Sequence, residues 1–566
     1  MSQPLSAKPL SPTVRSALWA AWADALGFQT ELASNEQQLQ RRLGAGRVEN
    51  TGPWRRRIGG RFGVQVDLLP GTYSDDTQLR LAVCRCIRAS GRFDVEALSK
   101  IELSVFPSYG LGAGIGTTTA AKALSKRSVR WNSNFFSSSR ATYIDGGGNG
   151  AAMRVQPHVW ASREARPGDY LLAVIQDAVI THGHPRGILG AVLHALAVGS
   201  VLREETVPKP GRWTGMIEYL GRLPSLMAAD DALAERWIPM WEQQTNRTWL
   251  SAVLETIDEL NEQIQIALGF ARQPRGPEAE IYADLCEALG GLSPKTRGSG
   301  TLAAILSLWL AWRHESQPVE GLCIAANLIG SDTDTIATMA GALLGPVTDQ
   351  PLPGPLLDYE LHIREAERLE RLRTGERVED FPHPDPLHWQ HPATLSDTAG
   401  LIDGKLALMG LGLAEPAGEM LPGKDHTGWQ WLLTTFGQHV LIKRRDKLAE
   451  LPEWSRPRHR ATAQPEQLSV EAKQQPPVDV APPLEPPTEQ LPDEIEDAVE
   501  QAFAAGFQQQ RFVQLFLHLT HQPYGTSKAG LFAAMVAERI RTDDKPTANP
   551  NSTAGQNTGQ QSARNV

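Results

Sequence analysis

The sequence predicts an all-α fold for residues 13–375. Apolar residues recur in this part of the chain at three- and four-residue spacing, which is typical of helices that bury one face. Short clusters of Gly, Pro, Ser and Asn separate these stretches, and no alternation of strand and helix patterns indicates a parallel sheet. The segments with helical spacing are 14–26, 77–88, 170–180, 188–202, 249–268, 302–312, 319–328 and 335–344.

The chain changes character after this helical domain. Residues 384–455 are rich in Gly, Pro and Trp, and 437–443 have the pattern of a strand, so we expect a small appended region of uncertain fold. Residues 456–492 contain nine prolines with many Gln and Glu, a composition that cannot bury a core and predicts a linker. Helical spacing returns at 493–541, which predicts a short helical module, and the polar tail at 542–566 is expected to be disordered.

Composition excludes several classes of protein. The 566 residues are too many for one typical domain, and a hydrophobic fraction of 41% is enough for a sizeable core. A formal net charge of -9 and a pI near 5.9 argue against general nucleic-acid binding. Four cysteines are too few for a disulfide framework in a chain of this length, so we expect them to be reduced and in or near the core. With no long apolar span and no secretory leader pattern, the expected location is the cytoplasm, without a membrane partner.

Two short acidic segments carry the clearest chemical signal. The first acidic cluster is Ser-Asp-Asp at 74–76, the second acidic cluster is Asp-Thr-Asp-Thr at 332–335, and each runs directly into a helical pattern. Helix capping explains one oxygen-bearing residue at such a place, because its side chain accepts a hydrogen bond from an unpaired backbone N–H. It does not explain three or four together, because adjacent carboxylates repel each other and a hard cation is the usual reason to tolerate that repulsion.

The donor types narrow the choice of ion. Oxygen-only ligands, with no neighbouring His or Cys, indicate magnesium, manganese or calcium rather than zinc. Two clusters of matching chemistry suit a two-metal site, in which the ions lie roughly 3.5–4 Å apart. The spacing along the chain does not decide whether the clusters meet in space, so helix capping stays the alternative at this point.

Six short motifs occur in order along residues 13–350. They are Asp-Ala-Leu-Gly at 24–27 with Glu31, Ser-Asp-Asp-Thr at 74–77, a glycine stretch at 109–117, Gly-Asn-Gly-Ala-Ala-Met-Arg-Val-Gln-Pro at 148–157, Thr-His-Gly-His-Pro at 181–185, and Ser-Asp-Thr-Asp-Thr-Ile-Ala at 331–337 with Ala-Gly-Ala-Leu-Leu-Gly at 340–345. Together they resemble the ADP-ribosylglycohydrolase family. Ala23, Ser74, Ser331 and Pro346 depart from that pattern, in which Gly, Thr, Gly and Ala are usual.

The resemblance implies a helical fold with a binuclear magnesium centre, for which manganese is the other candidate ion. The implied metal ligands are Ser74, Asp75, Asp76, Asp332, Asp334 and Thr335. The implied substrate-binding residues are Gly112, Gly114, Gly116, Gly148, Asn149, Gly150, Met153 and His182. The catalytic carboxylate that transfers a proton is Asp75, Asp334 or Glu31, and the choice among them stays open. Arg154 fits equally a phosphate ligand or a structural partner of a carboxylate, whereas His184 is expected to be structural.

The implied reaction removes ADP-ribose from a modified acceptor by cleaving the glycosidic bond at ribose C1″ through an oxocarbenium-like state. The acceptor stays open among arginine, serine, a nucleic-acid base and a small metabolite. The alternatives are a non-catalytic ADP-ribose-binding protein, a hydrolase of the same fold acting on another nucleotide or glycosidic substrate, and a chain that chiefly binds a protein partner through 493–541. The Trp-rich residues 209–275 are expected to add helical packing or to shape access of the acceptor.

Overall fold

The computed structural model describes residues 9–60, 63–458, 495–504 and 509–520, and five further residues between 532 and 539. The chain forms two compact units, Met1–Gln464 and Pro465–Val566. The predicted tail at 542–566 and all of the predicted linker except residues 456–458 lie outside the described residues. The domain limits drawn from the sequence therefore stay predictions.

The first unit is predominantly helical, as the sequence predicts. All eight segments with helical spacing lie in helices, whose ends differ from the predicted ones by a few residues because capping residues and prolines extend or stop them. Its α-helices are α1 Pro12–Phe28, α2 Glu36–Leu43, α3 Asp75–Cys86, α4 Leu103–Val105, α5 Ile115–Leu124, α6 Gln156–Trp160, α7 Pro167–Thr181, α8 Pro185–Glu204, α9 Trp213–Leu220, α10 Leu223–Ala228, α11 Ile238–Thr245, α12 Trp249–Ala271, α13 Glu278–Ala288, α14 Gly300–Arg313, α15 Pro318–Asn327, α16 Thr333–Leu344 and α17 Tyr359–Arg373.

The centre of the helical domain is the pair α1 and α16. Both helices are buried on nearly every face, so neither shows the polar stripe of a surface helix. A Cβ on Gly27 would lie 2.4 Å from the carbonyl oxygen of Thr333, and one on Gly341 would lie 2.5 Å from that of Trp19. Only glycine permits this approach, and it brings the C-terminal end of α1 against the N-terminal end of α16.

Helix α8 is a core helix of the same domain. It is long and apolar enough to cross a membrane by length and composition, with a mean hydropathy of 1.5. However, 89% of that stretch is buried inside the protein. Its apolar character is therefore explained by packing against neighbouring helices such as α14.

A hairpin interrupts the helical pattern between α2 and α3. Strands β1 (Trp54–Ile58) and β2 (Val64–Leu68) pair antiparallel, with Trp54 opposite Leu68. The sequence analysis did not predict this hairpin, because three consecutive arginines in β1 mask the alternation of buried and exposed residues.

The region at 384–455 contains a six-stranded antiparallel sheet, which we call the C-terminal sheet. The predicted strand at 437–443 corresponds to β8, which pairs along its full length with β7. After β8 the chain returns to β3, where Leu401 N donates to Ala449 O at 2.9 Å and Leu451 N donates to Leu401 O at 2.7 Å. The strands are β3 Ala399–Ile402, β4 Lys405–Leu408, β5 Gly412–Pro416, β6 Leu421–Pro422, β7 Thr427–Thr434 and β8 His439–Arg445.

The second unit contains helices within the predicted module at 493–541. Helices α18 (Ile495–Phe503) and α19 (Gln509–Thr520) bury a small apolar core. Phe503, Phe512 and Phe516 pack against this core, so helical packing accounts for these aromatic residues. The buried members of the core are Ala498, Val499, Ala502, Leu515, Leu519, Phe532 and Val536.

Candidate active site

One cavity of ≈ 420 Å³ collects nearly every residue that the sequence singles out. Both acidic clusters, the glycine stretch and the 148–153 segment contribute to its wall. Ser74 is the single predicted site residue that does not line it. The predicted residues in its lining are Glu31, Asp75, Asp76, Gly112, Gly114, Gly116, Gly148, Asn149, Gly150, Met153, His182, Asp332, Asp334 and Thr335.

The first acidic cluster lies at the N-terminus of α3. The Ser74 hydroxyl accepts a hydrogen bond from Asp76 N at 3.2 Å, which is the N-cap interaction that the sequence offered as the alternative reading of this residue. The buried Asp24 carboxylate accepts from Ser74 N at 3.0 Å and from Thr77 N at 2.9 Å. Asp24 thus fixes the turn that aims Asp75 and Asp76 at the cavity. Asp24 belongs to the motif at 24–27, but the sequence predicted no role for it.

The second acidic cluster lies at the N-terminus of α16, against the C-terminal end of α1. The Thr333 hydroxyl donates to Gly27 O at 3.0 Å, so this threonine joins the two helices and does not line the cavity. Asp334 Oδ1 accepts from Thr335 N at 2.9 Å. Asn149 Nδ2 donates to Asp332 Oδ2 at 3.0 Å, which connects the cluster to the opposite wall.

The acidic residues of the cavity are close enough to perturb one another. Burial raises the pKa of Asp75, Asp76 and Asp334 well above the usual range, and neighbouring carboxylates raise each pKa further. Asp76 Oδ2 is buried and has no hydrogen-bond partner among the residues that the structure describes. Buried carboxylates that are crowded and unpaired have the chemistry of a divalent-cation site made of hard oxygen donors.

Glu31 stands at the edge of this group. A Cβ built on Gly112 would lie 2.9 Å from Asp75 Oδ1 and 3.5 Å from Glu31 Oε2, so the glycine separates the two carboxylates. Arg56 of β1 lies 3.4 Å from Glu31 Oε2. Burial raises the pKa of Glu31 to about 7, although Arg56 acts in the opposite direction. With a pKa of about 7, the Glu31 carboxyl group gains or loses its proton near neutral pH.

The glycine stretch leads into the N-terminus of α5, which faces the cavity. No side chain caps this terminus, and Gly114 and Gly116 have open space where a Cβ would be. Uncapped N–H groups at a helix N-terminus attract anions such as phosphate. On the side toward α3, Gln78 holds the stretch by accepting from Leu111 N at 2.9 Å.

The opposite wall is the loop that contains Gly148, Asn149 and Gly150. Arg154 does not reach the cavity, because its guanidinium donates to Asp177 Oδ1 and to Gly150 O, both at 2.9 Å. Its side chain is completely buried, so the structural alternative for this arginine is the correct one. Met153 lies under the loop, and its N donates to Asn149 O at 3.1 Å.

His182 completes this wall, close to Gly150. Its Nδ1 lies 2.7 Å from the Thr181 hydroxyl, which also accepts from Arg154 Nη2 at 3.0 Å. Burial lowers the pKa of His182 to about 3, so the ring is neutral. The other ring nitrogen, Nε2, lies near Gly148 and Gly150. His184, in contrast, caps α8 by accepting from Arg186 N at 3.1 Å, as expected for a structural histidine.

The Trp-rich segment packs behind the same wall. Trp237 Nε1 donates to the Tyr143 hydroxyl at 2.6 Å, and Trp241 Nε1 donates to Gly183 O at 2.6 Å. Both indoles are buried. The segment thus adds helical packing, which was one of its two expected roles.

Several cavity residues were missed by the sequence analysis. Arg140 is the single arginine or lysine among the described residues of the lining. Thr117 and Thr181 belong to motifs from which other residues were chosen, and the remaining missed residues lie in the stretch just before the motif at 148–157. The missed lining residues are Thr117, Arg140, Ala141, Thr142, Asp145, Gly146, Gly147 and Thr181.

A separate buried group also has the composition of a metal site. The ligand atoms of Cys86, Glu102 and His383 lie within 4.8 Å of one another. Arg85, however, donates to both Glu102 oxygens, at 2.8 and 2.9 Å. Although burial raises the pKa of Glu102, this guanidinium lowers it to about 2. The charge of Glu102 is therefore already balanced without a cation, unlike the charges of the acidic clusters.

Comparisons with known proteins agree with the motifs. A family model described as ADP-ribosylglycohydrolase matches residues 11–373. ADP-ribosylhydrolase ARH3 of Bos taurus is 30% identical over 289 residues, which are 48% of this chain and 69% of that protein. ADP-ribosylhydrolase ARH3 of Homo sapiens is 27% identical over 279 residues, 48% of this chain and 70% of that protein. A chain of a solved ADP-ribosylglycohydrolase-related protein complex aligns with 64% of this chain and 98% of its own length, at 20% identity and a TM-score of 0.41.

The family match spans most of the first unit and includes both acidic clusters and the whole cavity wall. Proteins of this family are hydrolases and are generally metal-dependent. The chain therefore belongs to the ADP-ribosylglycohydrolase family and is a glycohydrolase.

Proposed function

We propose that the chain is a magnesium-dependent hydrolase that removes ADP-ribose from a modified acceptor by cleaving the bond at ribose C1″ at a binuclear site. One observation carries the proposal. The acidic clusters, distant in sequence, share a single cavity with an uncapped helix N-terminus. That combination provides donors for divalent cations next to a place for a diphosphate.

The residues of the cavity fit a pair of divalent ions. Asp75, Asp76, Asp332, Asp334 and Thr335 are the oxygen donors that line it and would hold the ions. Bound magnesium would polarise the ribose hydroxyls and lower the pKa of a bound water. The Ser74 hydroxyl accepts a hydrogen bond from Asp76 N and in this way stabilises the turn that carries the cluster.

The other walls would bind and orient the ADP-ribosyl group. The N-terminus of α5 attracts the diphosphate, and the absence of side chains at Gly114 and Gly116 lets the backbone approach it. The neutral His182 ring presents its Nε2 atom on the facing wall. These contacts hold the ribose over the carboxylates, and orientation of this kind lowers the barrier of the reaction.

Among the three candidate carboxylates, Glu31 is best suited to transfer the proton. Its pKa of about 7 lets it hold and release a proton near neutral pH, which is what general acid–base catalysis requires. Asp75 and Asp334 are more deeply buried and would be engaged as metal ligands. Glu31 retains 17% of its side-chain surface, so it can exchange its proton with solvent.

The test is a panel of defined ADP-ribosylated substrates. Peptides modified on arginine or serine, a modified oligonucleotide and a small ADP-ribosylated metabolite are incubated with the full chain, with MgCl2 or with EDTA. We expect release of free ADP-ribose from at least one substrate with magnesium and none with EDTA. Equal release of ADP-ribose with MgCl2 and with EDTA would contradict the metal requirement. Tight binding of ADP-ribose without release from any substrate would favour the non-catalytic binding protein.

A further inference from the structure

We infer that the C-terminal sheet, which lies beyond the family match at residues 11–373, positions the first acidic cluster and Glu31 in the candidate active site. The sheet reaches the first acidic cluster through one set of side chains and Glu31 through another. The activity readout of this inference rests on the proposed function, whereas its metal-binding readout does not.

The first connection ends next to the first acidic cluster. The Tyr73 hydroxyl donates to Asp358 Oδ2 at 2.6 Å, and Tyr73 directly precedes Ser74. At the start of β8, His439 N donates to the same Asp358 oxygen at 3.0 Å, and His439 Nδ1 lies 2.6 Å from Asp358 Oδ1. The side chain of Asp358 is buried, so its two oxygens serve the sheet and the residue that enters the cluster.

The second connection runs through the β1–β2 hairpin. Trp431 of β7 donates its indole N–H to Asp67 O at 3.3 Å, and its ring belongs to the same apolar group as Phe28 and Trp54. A Cβ on Gly59 of the hairpin would lie 3.2 Å from the ring of Trp429. The hairpin is thus packed between the sheet and the end of α1.

Two arginine side chains, Arg56 of this hairpin and Arg42 of α2, hold the segment that carries Glu31. Arg56 lies 4.6 Å from the centre of the Phe28 ring and pairs with the Glu31 carboxylate. Arg42 donates to the backbone oxygen of Glu31 at 3.0 Å while its guanidinium lies over Trp54, 5.5 Å from the ring centre. The orientation of Glu31 therefore depends on where the sheet holds the hairpin.

A third contact fixes the sheet to α3 itself. Arg85, in the last turn of α3, pairs with Glu102 and donates to Gln438 Oε1 at 2.9 Å. Phe381 and Phe436 cover its guanidinium, with ring centres at 5.6 and 5.1 Å. Since Arg85 is fully paired and buried, the sheet and α3 are expected to move as one body. The N-terminus of that helix carries Asp75 and Asp76.

The experiment compares variants that remove a contact of either connection with control variants on the same strands that do not. His439→Ala and Arg56→Ala remove the two connections. Arg445→Ala on the same strand as His439, and Arg55→Ala beside Arg56, remove exposed ion pairs that point elsewhere. Each variant is titrated with MnCl2 by calorimetry, and kcat and KM are measured in parallel on a hydrolysed substrate. Circular dichroism and thermal unfolding verify that each variant is folded.

We expect His439→Ala to weaken Mn²⁺ binding measurably, but by less than the roughly 10- to 100-fold that loss of a direct partner of a metal ligand costs, because His439 acts on the cluster through Asp358 and Tyr73. Arg56→Ala should lower kcat more than it changes KM, and Arg56→Lys should recover part of kcat. Both controls should match the unchanged chain. If His439→Ala does not fold, Asp358→Asn replaces it, since asparagine keeps one acceptor and tolerates the left-handed backbone at this position (φ 58).

The inference is wrong if folded His439→Ala and Arg56→Ala bind Mn²⁺ and turn over substrate as their controls do. A uniform fall in thermal stability with unchanged metal affinity and kcat would likewise reduce the sheet to a structural element. Failure of the proposed function looks different. In that case the unchanged chain releases no ADP-ribose, and the Mn²⁺ titrations still decide whether the sheet positions the first acidic cluster.

Discussion

The N-termini of α3 and α16 both present carboxylates to the cavity, yet different contacts hold them there. The α3 end depends on hydrogen bonds to side chains from elsewhere, with Asp24 accepting from the turn and Asp358 accepting from Tyr73. The α16 end combines close packing, since Gly27 lets the helices approach within backbone contact, with hydrogen bonds from the Thr333 hydroxyl to Gly27 O and from Asn149 to Asp332. Similar chemistry can thus be fixed by side-chain hydrogen bonds alone on one side and by hydrogen bonds together with helix packing on the other. The two sides should therefore respond differently to substitution.

The largest effect should come from removing one ligand on each side. Asp75→Asn and Asp332→Asn are each expected to lower turnover by more than about a hundredfold, because even residues outside a metal's ligand shell commonly account for 10- to 100-fold. Steady-state hydrolysis and Mn²⁺ calorimetry measure both losses. Full activity in either variant would contradict the proposal that the two clusters form a single metal site.

Asp24→Asn tests the polar side of the comparison. Asparagine leaves one acceptor for the two N–H donors of the turn, so Asp75 and Asp76 lose part of their orientation. We expect Mn²⁺ affinity to fall by roughly 10- to 100-fold. Ser11→Ala is the matched control, because it removes the N-cap of α1 and should cost about 1 kcal/mol of stability without changing metal affinity. Equal metal affinity in both variants would contradict the role given to Asp24.

Gly27→Ala tests the packed side. The added methyl would overlap the backbone of α16, so the free energy of unfolding should fall by about 1–3 kcal/mol. Gly269→Ala is the control, because its methyl would meet open space on α12 and should be neutral or stabilising by about 0.4–1 kcal/mol. Urea unfolding measures both. A Gly27 variant as stable as the control would show that the helices can separate at little cost.

The smallest effect is expected from removing the second unit. Deletion of residues 465–566 should leave hydrolysis and metal affinity unchanged, because the cavity and the C-terminal sheet belong to the first unit. The hydrolysis assay checks this directly. A loss of activity would instead assign the second unit a part in catalysis, and a loss of partner recruitment alone would favour a docking role for 493–541.

The sequence predicted the helices and the two acidic clusters because their signals are local, whereas the other predicted residues of the cavity came from the resemblance to the family. Apolar spacing marks α1 and α8, and runs of acidic residues mark the two clusters. Long-range polar contacts leave no such local pattern. Nothing in the sequence around Asp358 indicates that it bonds to both Tyr73 and His439, and Asp24 reads as an ordinary motif residue. The Ser74 hydroxyl caps α3 by accepting from Asp76 N, and its place among the metal ligands stays a prediction.

The six-stranded sheet has a practical consequence for work on isolated fragments. A fragment cut at residue 373 would keep every motif of the family but lose Phe381, Phe436 and Gln438 from around Arg85. The Arg85–Glu102 ion pair would then face water, and apolar surface on α17 and α3 would be uncovered. Such a fragment should aggregate even though it keeps all six motifs of the family. The stretch of chain recognised by similarity is therefore shorter than the stretch that folds as a unit.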